Sequence, residues 1–411
     1  MTAREIRGSG MNGTRPAKPG IFLLSLAVGA MLVQQGLSYL STLVFPVAMP
    51  ALSEALGIGT AYAGLYTGLC FCVSSLGQLG CGGLIVRMGA LRVSQVSLLL
   101  LGTGLFLAAS GEIWLFVLSA LILGAGNSVS TPASSHLLAR YSPPKYAPLI
   151  FSIKQTGVPV GAVAAGAVVP LLVVTYGWQS AFLTFGCVCW VFALAIQPLR
   201  GEFDSDRQPR HQLSFAAIGA TIRTVWGDAG LRGYAYAMFC FVGLQAIFGS
   251  FFVSYLSDGL GYTLTGAGSV FALAQAIAIG ARIGWGWIGS RWIDPQRVLG
   301  GLGFAMALAS LGVAAIGLGM PHWAILTVAV CYSATAVGWH GLLLAEVARR
   351  APPGRIGAIT GGVVACGGAG MMTYPLLHAG LLQITGAYGW GFAIGAFPAA
   401  LVGLRLVRGT R

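Results

Sequence analysis

Apolar residues run through this chain in about twelve long blocks, separated by short polar connections. The blocks cover roughly 21–49, 61–85, 93–110, 113–138, 147–175, 178–198, 233–256, 264–289, 298–319, 322–348, 356–386 and 389–405. Each is about 20–30 residues long, enough helix to cross a hydrocarbon layer ~30 Å thick, some with tilt. Short segments alternating with a period of two, the mark of a membrane β-barrel, are not the pattern here. The expected fold class is therefore an all-α polytopic membrane protein with twelve transmembrane helices.

Charge then orients the blocks. Of the 23 Lys and Arg residues, all but Lys154 and Arg282 fall in the tails or in the connections after even-numbered blocks. The connections after odd-numbered blocks, near 50–59, 110–112, 176–177, 258–263, 320–321 and 387–388, hold none. This bias predicts that both termini lie on the cytoplasmic side of the cell inner membrane. The one long polar stretch, 200–232, divides the chain into expected units: a tail at 1–20, a six-helix bundle at 21–199, a cytoplasmic linker at 200–232, a second bundle at 233–406 and a tail at 407–411.

The two bundles repeat one another. Leu52-Ser53-Glu54-Ala55-Leu56-Gly57 returns as Leu256-Ser257-Asp258-Gly259-Leu260-Gly261, displaced by 204 positions, and the same offset pairs Gly64, Gly80, Gly82 and Arg87 with Gly268, Gly284, Gly286 and Arg291. Ala139-Arg140-Tyr141-Ser142-Pro143-Pro144 returns as Ala348-Arg349-Arg350-Ala351-Pro352-Pro353, displaced by 209. Duplicated membrane halves let one half rock against the other around a site near the midplane, a transporter arrangement.

Six plus six spans around a central linker resemble the major facilitator superfamily, over about Ile21 to Leu406. The superfamily's loop motif after the second span, G-x-L-x-D-R-x-G-R, is matched by Gly82, Leu84, Arg87 and Gly89, but Val86 stands at the acidic position and Ala90 at the last basic one. The second copy keeps Gly286 and Arg291 and has Ser290 at the acidic position. Those departures put the usual acid-mediated cytoplasmic gate in doubt. The run Ser152-Ile153-Lys154-Gln155-Thr156-Gly157-Val158-Pro159 is similar to cyanate/nitrate-like and organic-anion permeases of bacteria.

Composition removes rival classes. The chain is 56% hydrophobic and 8% charged, against about 25% charged for a soluble domain. The net charge of +13 comes from dispersed loop ends and is not a nucleic-acid surface. All eight cysteines lie in apolar blocks without metal spacing, and no GxxxxGK[ST] loop is present, so neither a metal, another cofactor nor direct ATP hydrolysis is expected. No catalytic constellation stands out either, and the chain is not expected to be an enzyme.

The two charges inside blocks are the leading candidates, since an ionisable group there is functional by default. Arg282 lies nine residues before Arg291, about 13 Å deeper along a helix and beyond the reach of snorkelling. The resemblance to monocarboxylate and oxalate carriers implies that it holds a substrate carboxylate; the other reading ties it to backbone carbonyls or a gate. Lys154, about six residues inside its block, is a second ligand candidate unless it snorkels to the interface. Polar side chains in blocks one, two, four, seven, eight and ten complete the expected substrate set: Gln34, Gln35, Tyr39, Gln78, Asn127, Thr131, Gln245, Gln275, Tyr332, Trp339 and His340. Coupling or gating is expected of Glu346, His340, Arg87, Arg291 and Arg349, with Glu346 pairing one of the cytoplasmic arginines. An interior with two cations and one peripheral acid favours an anion. The expectation is a monomeric secondary transporter in the lipid bilayer that moves a small organic anion, a carboxylate, by alternating access with H+ as co-substrate. Alternatives are an anion antiporter, an efflux carrier for amphipathic compounds and a transporter-like sensor.

Overall fold

The computed structural model describes residues 20–58, 62–212, 215–262, 264–317 and 319–408. Arg4, Arg7, Arg15, Lys18 and Arg411 lie outside them. Among the described residues twelve helical spans are long and apolar enough to cross a membrane: span 1 Ile21–Leu56, span 2 Gly64–Met88, span 3 Ala90–Ala108, span 4 Ile113–Tyr141, span 5 Pro144–Tyr176, span 6 Trp178–Phe203, span 7 Ala229–Ser257, span 8 Gly266–Arg291, span 9 Pro295–Ala314, span 10 His322–Arg350, span 11 Ile356–Thr385 and span 12 Gly389–Arg408. The order is the one the apolar blocks predict. Span 7 begins at Ala229 because Asp228 caps it, accepting from the Leu231 N–H at 2.7 Å, so its first turn comes from what the charge pattern reads as linker.

Spans 4, 5 and 10 each divide into two long helices. Span 5 is the helices Ala147–Gln155 and Gly157–Tyr176. Pro159 has no N–H for the carbonyl four residues back, that of Gln155. Span 4 is Ile113–Ser128 and Ser130–Tyr141, with Pro132 depriving Ser128 in the same way. Span 10 is His322–Ala336 and His340–Arg350, interrupted at Gly338, which stands 209 positions after Val129 and so repeats the break of span 4.

Spans 1 and 5 meet through small residues. A Cβ on Gly161 would collide with the Gly36 carbonyl, and one on Gly157 with that of Leu32. Such contact needs glycine on both faces. The linker lies against one end of the bundle, here called the linker face. Its residues Arg200–Phe203 continue span 6, and a second helix, Phe215–Gly227, lies across spans 2 and 11. Span 3 begins at Gly89 without a cap of its own, and Asp204 supplies one from the linker, accepting from the N–H of Leu91 at 2.8 Å and of Arg92 at 3.0 Å.

The halves meet on the linker face. Ala147–Gln155 packs on spans 8 and 10, span 2 packs on span 11, and Ser130–Tyr141 packs on span 11. The remaining parts of the broken spans, Ile113–Ser128, Gly157–Tyr176 and His322–Ala336, find their packing within their own halves. The seam is thus closed toward the linker and parts toward the opposite face.

Candidate functional site

Between the halves lies a cavity of about 150 Å³. The first half contributes Gln35, Tyr39, Phe71, Ser74, Ser75, Gln78, Asn127, Thr131 and Gln155, and the second Met238, Val242, Gln245, His340, Leu344, Val364 and Met371. One wall is therefore largely polar and the other largely apolar. Gln78 Oε1, Gln245 Oε1 and His340 Nδ1 are buried without a hydrogen-bond partner. Buried polar atoms without partners are costly unless a ligand or water completes them.

Lys154 and Arg282 lie immediately behind the floor of this cavity, each 1% exposed. Lys154 does not snorkel. Its Nζ donates to Gln35 Oε1 at 2.6 Å and Gln155 Oε1 at 3.0 Å, and Thr131 donates to the same Gln35 oxygen at 3.2 Å. Arg282 holds the loose ends of two broken helices. Its Nε and Nη2 donate to the Val337 carbonyl at 3.1 and 2.6 Å, and its Nη1 donates across the seam to the Gln155 carbonyl. These are the acceptors freed by the break in span 10 and by Pro159. Among the described residues no carboxylate pairs with either cation.

Of the expected substrate set, Gln35, Tyr39, Gln78, Asn127, Thr131, Gln245 and His340 line the cavity. Four others stay in helix seams. Gln34 donates to Ser130 Oγ at 2.8 Å within the first half; Gln275 accepts from Ser333 Oγ at 2.6 Å; Tyr332 donates to the Leu244 carbonyl at 2.8 Å; Trp339 donates to the Ala336 carbonyl at 2.8 Å and meets Phe241 edge-on. Phe248 and Phe252 stack on each other in the core of the second half. A polar or aromatic residue on an apolar helix marks a seam, and only the packing decides which seam opens.

The gate residues divide as well. Glu346 is buried, accepts from Tyr234 OH at 3.1 Å and pairs with Arg349 one turn along its own helix. The pair does not cross between the halves. Arg87 and Arg291 are exposed. Beside the bond from Arg282, uncharged contacts cross between the halves: Ser290 Oγ, at the acidic position of the second loop motif, accepts from the Leu149 N–H at 3.0 Å, and Ser152 fits against Gly286 and Gly341. Around Val86, the acid missing from the first motif is replaced from the linker. Gln208 donates to the Val86 carbonyl at 2.8 Å, and Asp206 receives His136 Nε2 at 2.7 Å and Arg140 Nη1 at 2.6 Å. Asp206 and Asp204 escaped the sequence reading because nothing in the spacing ties 204–206 to the ends of spans 3 and 4. Burial raises the Asp204 carboxyl above its ordinary value despite its two backbone donors. Burial opposes ionisation of Asp206 too, but the His136 hydrogen bond and the His136 and Arg140 charges hold its carboxyl below the usual range.

A twelve-span bundle of two repeated halves, with a polar cavity on the seam between them, defines a membrane carrier. The chain belongs to the Major Facilitator Superfamily, whose sequence profile matches residues 31–375. It is similar to monocarboxylate transporter 11 of Homo sapiens, 28% identical over 83% of this chain and 72% of that protein. An uncharacterized transporter of Bacillus subtilis, YybO, is 26% identical over 54% of this chain, and the match spans 55% of YybO's own length. In structure the chain resembles the transporter FucP in its outward conformation, with a TM-score of 0.74 at 16% identity over 94% of this chain and 99% of FucP. It also resembles the human organic anion transporter MFSD10, with a TM-score of 0.72 at 18% identity over 93% and 99% of the two chains.

Proposed function

We propose that this protein is a secondary transporter that moves a small organic anion, a carboxylate, by alternating access, with a proton as co-substrate. The observation that carries the reading is the pair of buried cations, Lys154 and Arg282, without a carboxylate partner among the described residues. Two such charges in a medium of low dielectric set a positive potential in the cavity above them. A carboxylate that reaches them gains that potential and accepts from the N–H groups of Lys154 and Arg282. The apolar wall of Met238, Val242, Val364 and Met371 suits the carbon skeleton of an organic anion better than an inorganic one. Names among the relatives, a monocarboxylate transporter and a probable anion transporter of Arabidopsis thaliana 21% identical over 68% of this chain, support the same class.

With both termini in the cytoplasm, as the basic residues predict, the closed linker face is the inner one and the cavity faces outward. His340 is the histidine on the cavity wall, so we assign it the coupling proton; Glu346, committed to Arg349 and Tyr234, fits a fixed structural pair. A proton per monovalent anion offsets the membrane potential, which opposes anion entry by about 2.3 kcal/mol per charge per 100 mV. Uptake of labelled pyruvate, lactate and acetate into vesicles carrying the purified protein tests the reading. Uptake stimulated by an acidic exterior, and made pH-insensitive by His340→Ala, is expected. Full-rate exchange with no pH dependence in the wild type makes the protein an antiporter, and no uptake of any carboxylate removes the substrate class.

A further inference from the structure

Arg282 makes a contact that the role of substrate anchor does not require. Its Nη1 reaches out of the second half to a backbone carbonyl of the first, that of Gln155. That carbonyl is free because Pro159 cannot donate to it. Its other donors hold the Val337 carbonyl of its own half. The bond lies where span 8 meets the linker-side helix of span 5, beside the Ser152 contact with Gly286 and Gly341. Opening the linker face means separating these helices, which breaks the bond and leaves both a guanidinium donor and a carbonyl without partners in a buried site. The empty carrier is thereby held closed on that face.

We propose that Arg282 is the latch of the linker face, and that the transported anion releases it by taking the place of the Gln155 carbonyl on the guanidinium. Binding and opening are then one event: the carboxylate supplies the acceptor that separation of the halves removes. Gln35 and Gln155, which lie between the cavity and the two cations, are the first groups an incoming anion displaces. The amide oxygens that hold Lys154 would exchange for carboxylate oxygens in the same step. The return of the empty carrier needs no ligand, because it re-forms the Gln155 bond. The latch in its empty state is independent of what the substrate is; only its release rests on the anion reading above.

The native Cys81 is a reporter. It is buried on span 2 where that span meets Gly361 of span 11, toward the linker face. Val158→Cys, on the cavity wall, reports the opposite face. In the ligand-free full-length protein in vesicles, site-resolved labelling by an impermeant maleimide should rise at Cys81 about tenfold or more in Arg282→Met, the shift one charge-assisted bond across the seam supports, while labelling at position 158 falls. Arg282→Lys should lie between, since one ammonium cannot hold both carbonyls in a planar fork. Labelling at Cys81 unchanged by Arg282→Met overturns the proposal. So does labelling that rises at both positions, because that is loosening of the fold and not reorientation. In the wild type, pyruvate added as probe should raise Cys81 labelling and sulfate should not. A latch that responds to Arg282→Met but to no carboxylate leaves the latch standing and removes the substrate reading.

Discussion

Two seams close the linker face, and the repeat makes them counterparts. In one, span 8 meets span 5; in the other, span 2 meets span 11. At the repeat offsets Arg282 corresponds to Gln78, Ser152 to Gly361 and Pro159 to Gly368. The first seam is polar and broken: Arg282 crosses to the Gln155 carbonyl and Ser290 takes the Leu149 N–H. The second is continuous and close-packed. Span 11 runs unbroken from Ile356 to Thr385, and a Cβ on Gly361 would collide with the carbonyl of Gln78. Ala358 fits against Gly82 in the same manner, and no side-chain hydrogen bond crosses between spans 2 and 11 among the described residues. One ancestral seam has become the place where chemistry is read, and the other a smooth surface on which helices can part and rejoin. Among these differences, Pro159 against Gly368 is the one that frees a carbonyl in span 5.

The comparison can be broken most severely at Arg282. Arg282→Ala strands the carbonyls of Gln155 and Val337, and anion uptake should fall by about two orders of magnitude or more while the protein still inserts. Normal uptake by that variant makes the polar seam dispensable. The smooth seam is tested by Gly361→Val, whose side chain meets backbone and cannot be accommodated with the linker face closed. Transport should fall about tenfold, with Cys81 labelled faster than in the wild type. Gly301→Val, which meets nothing within 4 Å, should behave as wild type. A milder change sharpens the contrast between neutral and charged gates. Ser290→Asp places a carboxylate at the N-terminus of Ala147–Gln155, where it should strengthen linker-face closure by about 0.5–1 kcal/mol and slow net uptake a few-fold. Faster uptake would mean that this contact does not resist opening.

The smallest expected effect lies outside both seams, at the linker clasp. Asp206→Asn should lower thermal stability by about 1 kcal/mol at neutral pH and leave transport unchanged. The folded protein holds this carboxyl below its ordinary value, so its contribution is complete above the unfolded value and fades as pH falls through the folded one. The difference between variant and wild type should therefore persist on acidification to about pH 4 and shrink only below it. A difference that disappears well above that pH would mean that the Asp206 carboxylate does not carry the effect.

Sequence alone determined the class, the span order, the internal similarity of the halves and the presence of two cations within spans. These are legible because they are local or periodic. An apolar block of about 20 residues has few fates other than crossing a membrane, and a charge within one is too expensive to be idle. Pro132 and Pro159 sit at the breaks in spans 4 and 5, but Pro46, Pro50, Pro170, Pro375 and Pro398 lie within continuous helices, so proline alone does not mark a break. Tertiary structure decided what each polar side chain faces. Gln35 and Gln34 are adjacent, yet one lines the cavity and the other ties span 1 to Ser130, because successive helical residues point about 100° apart and only the neighbouring spans determine which direction holds a ligand. The partners of Arg282, 55 and 127 positions away, and of Asp206, 66 and 70 positions away, are likewise set by how helices meet. No spacing along the chain encodes such contacts. They exist because a buried donor or acceptor must find its partner wherever the fold brings one near.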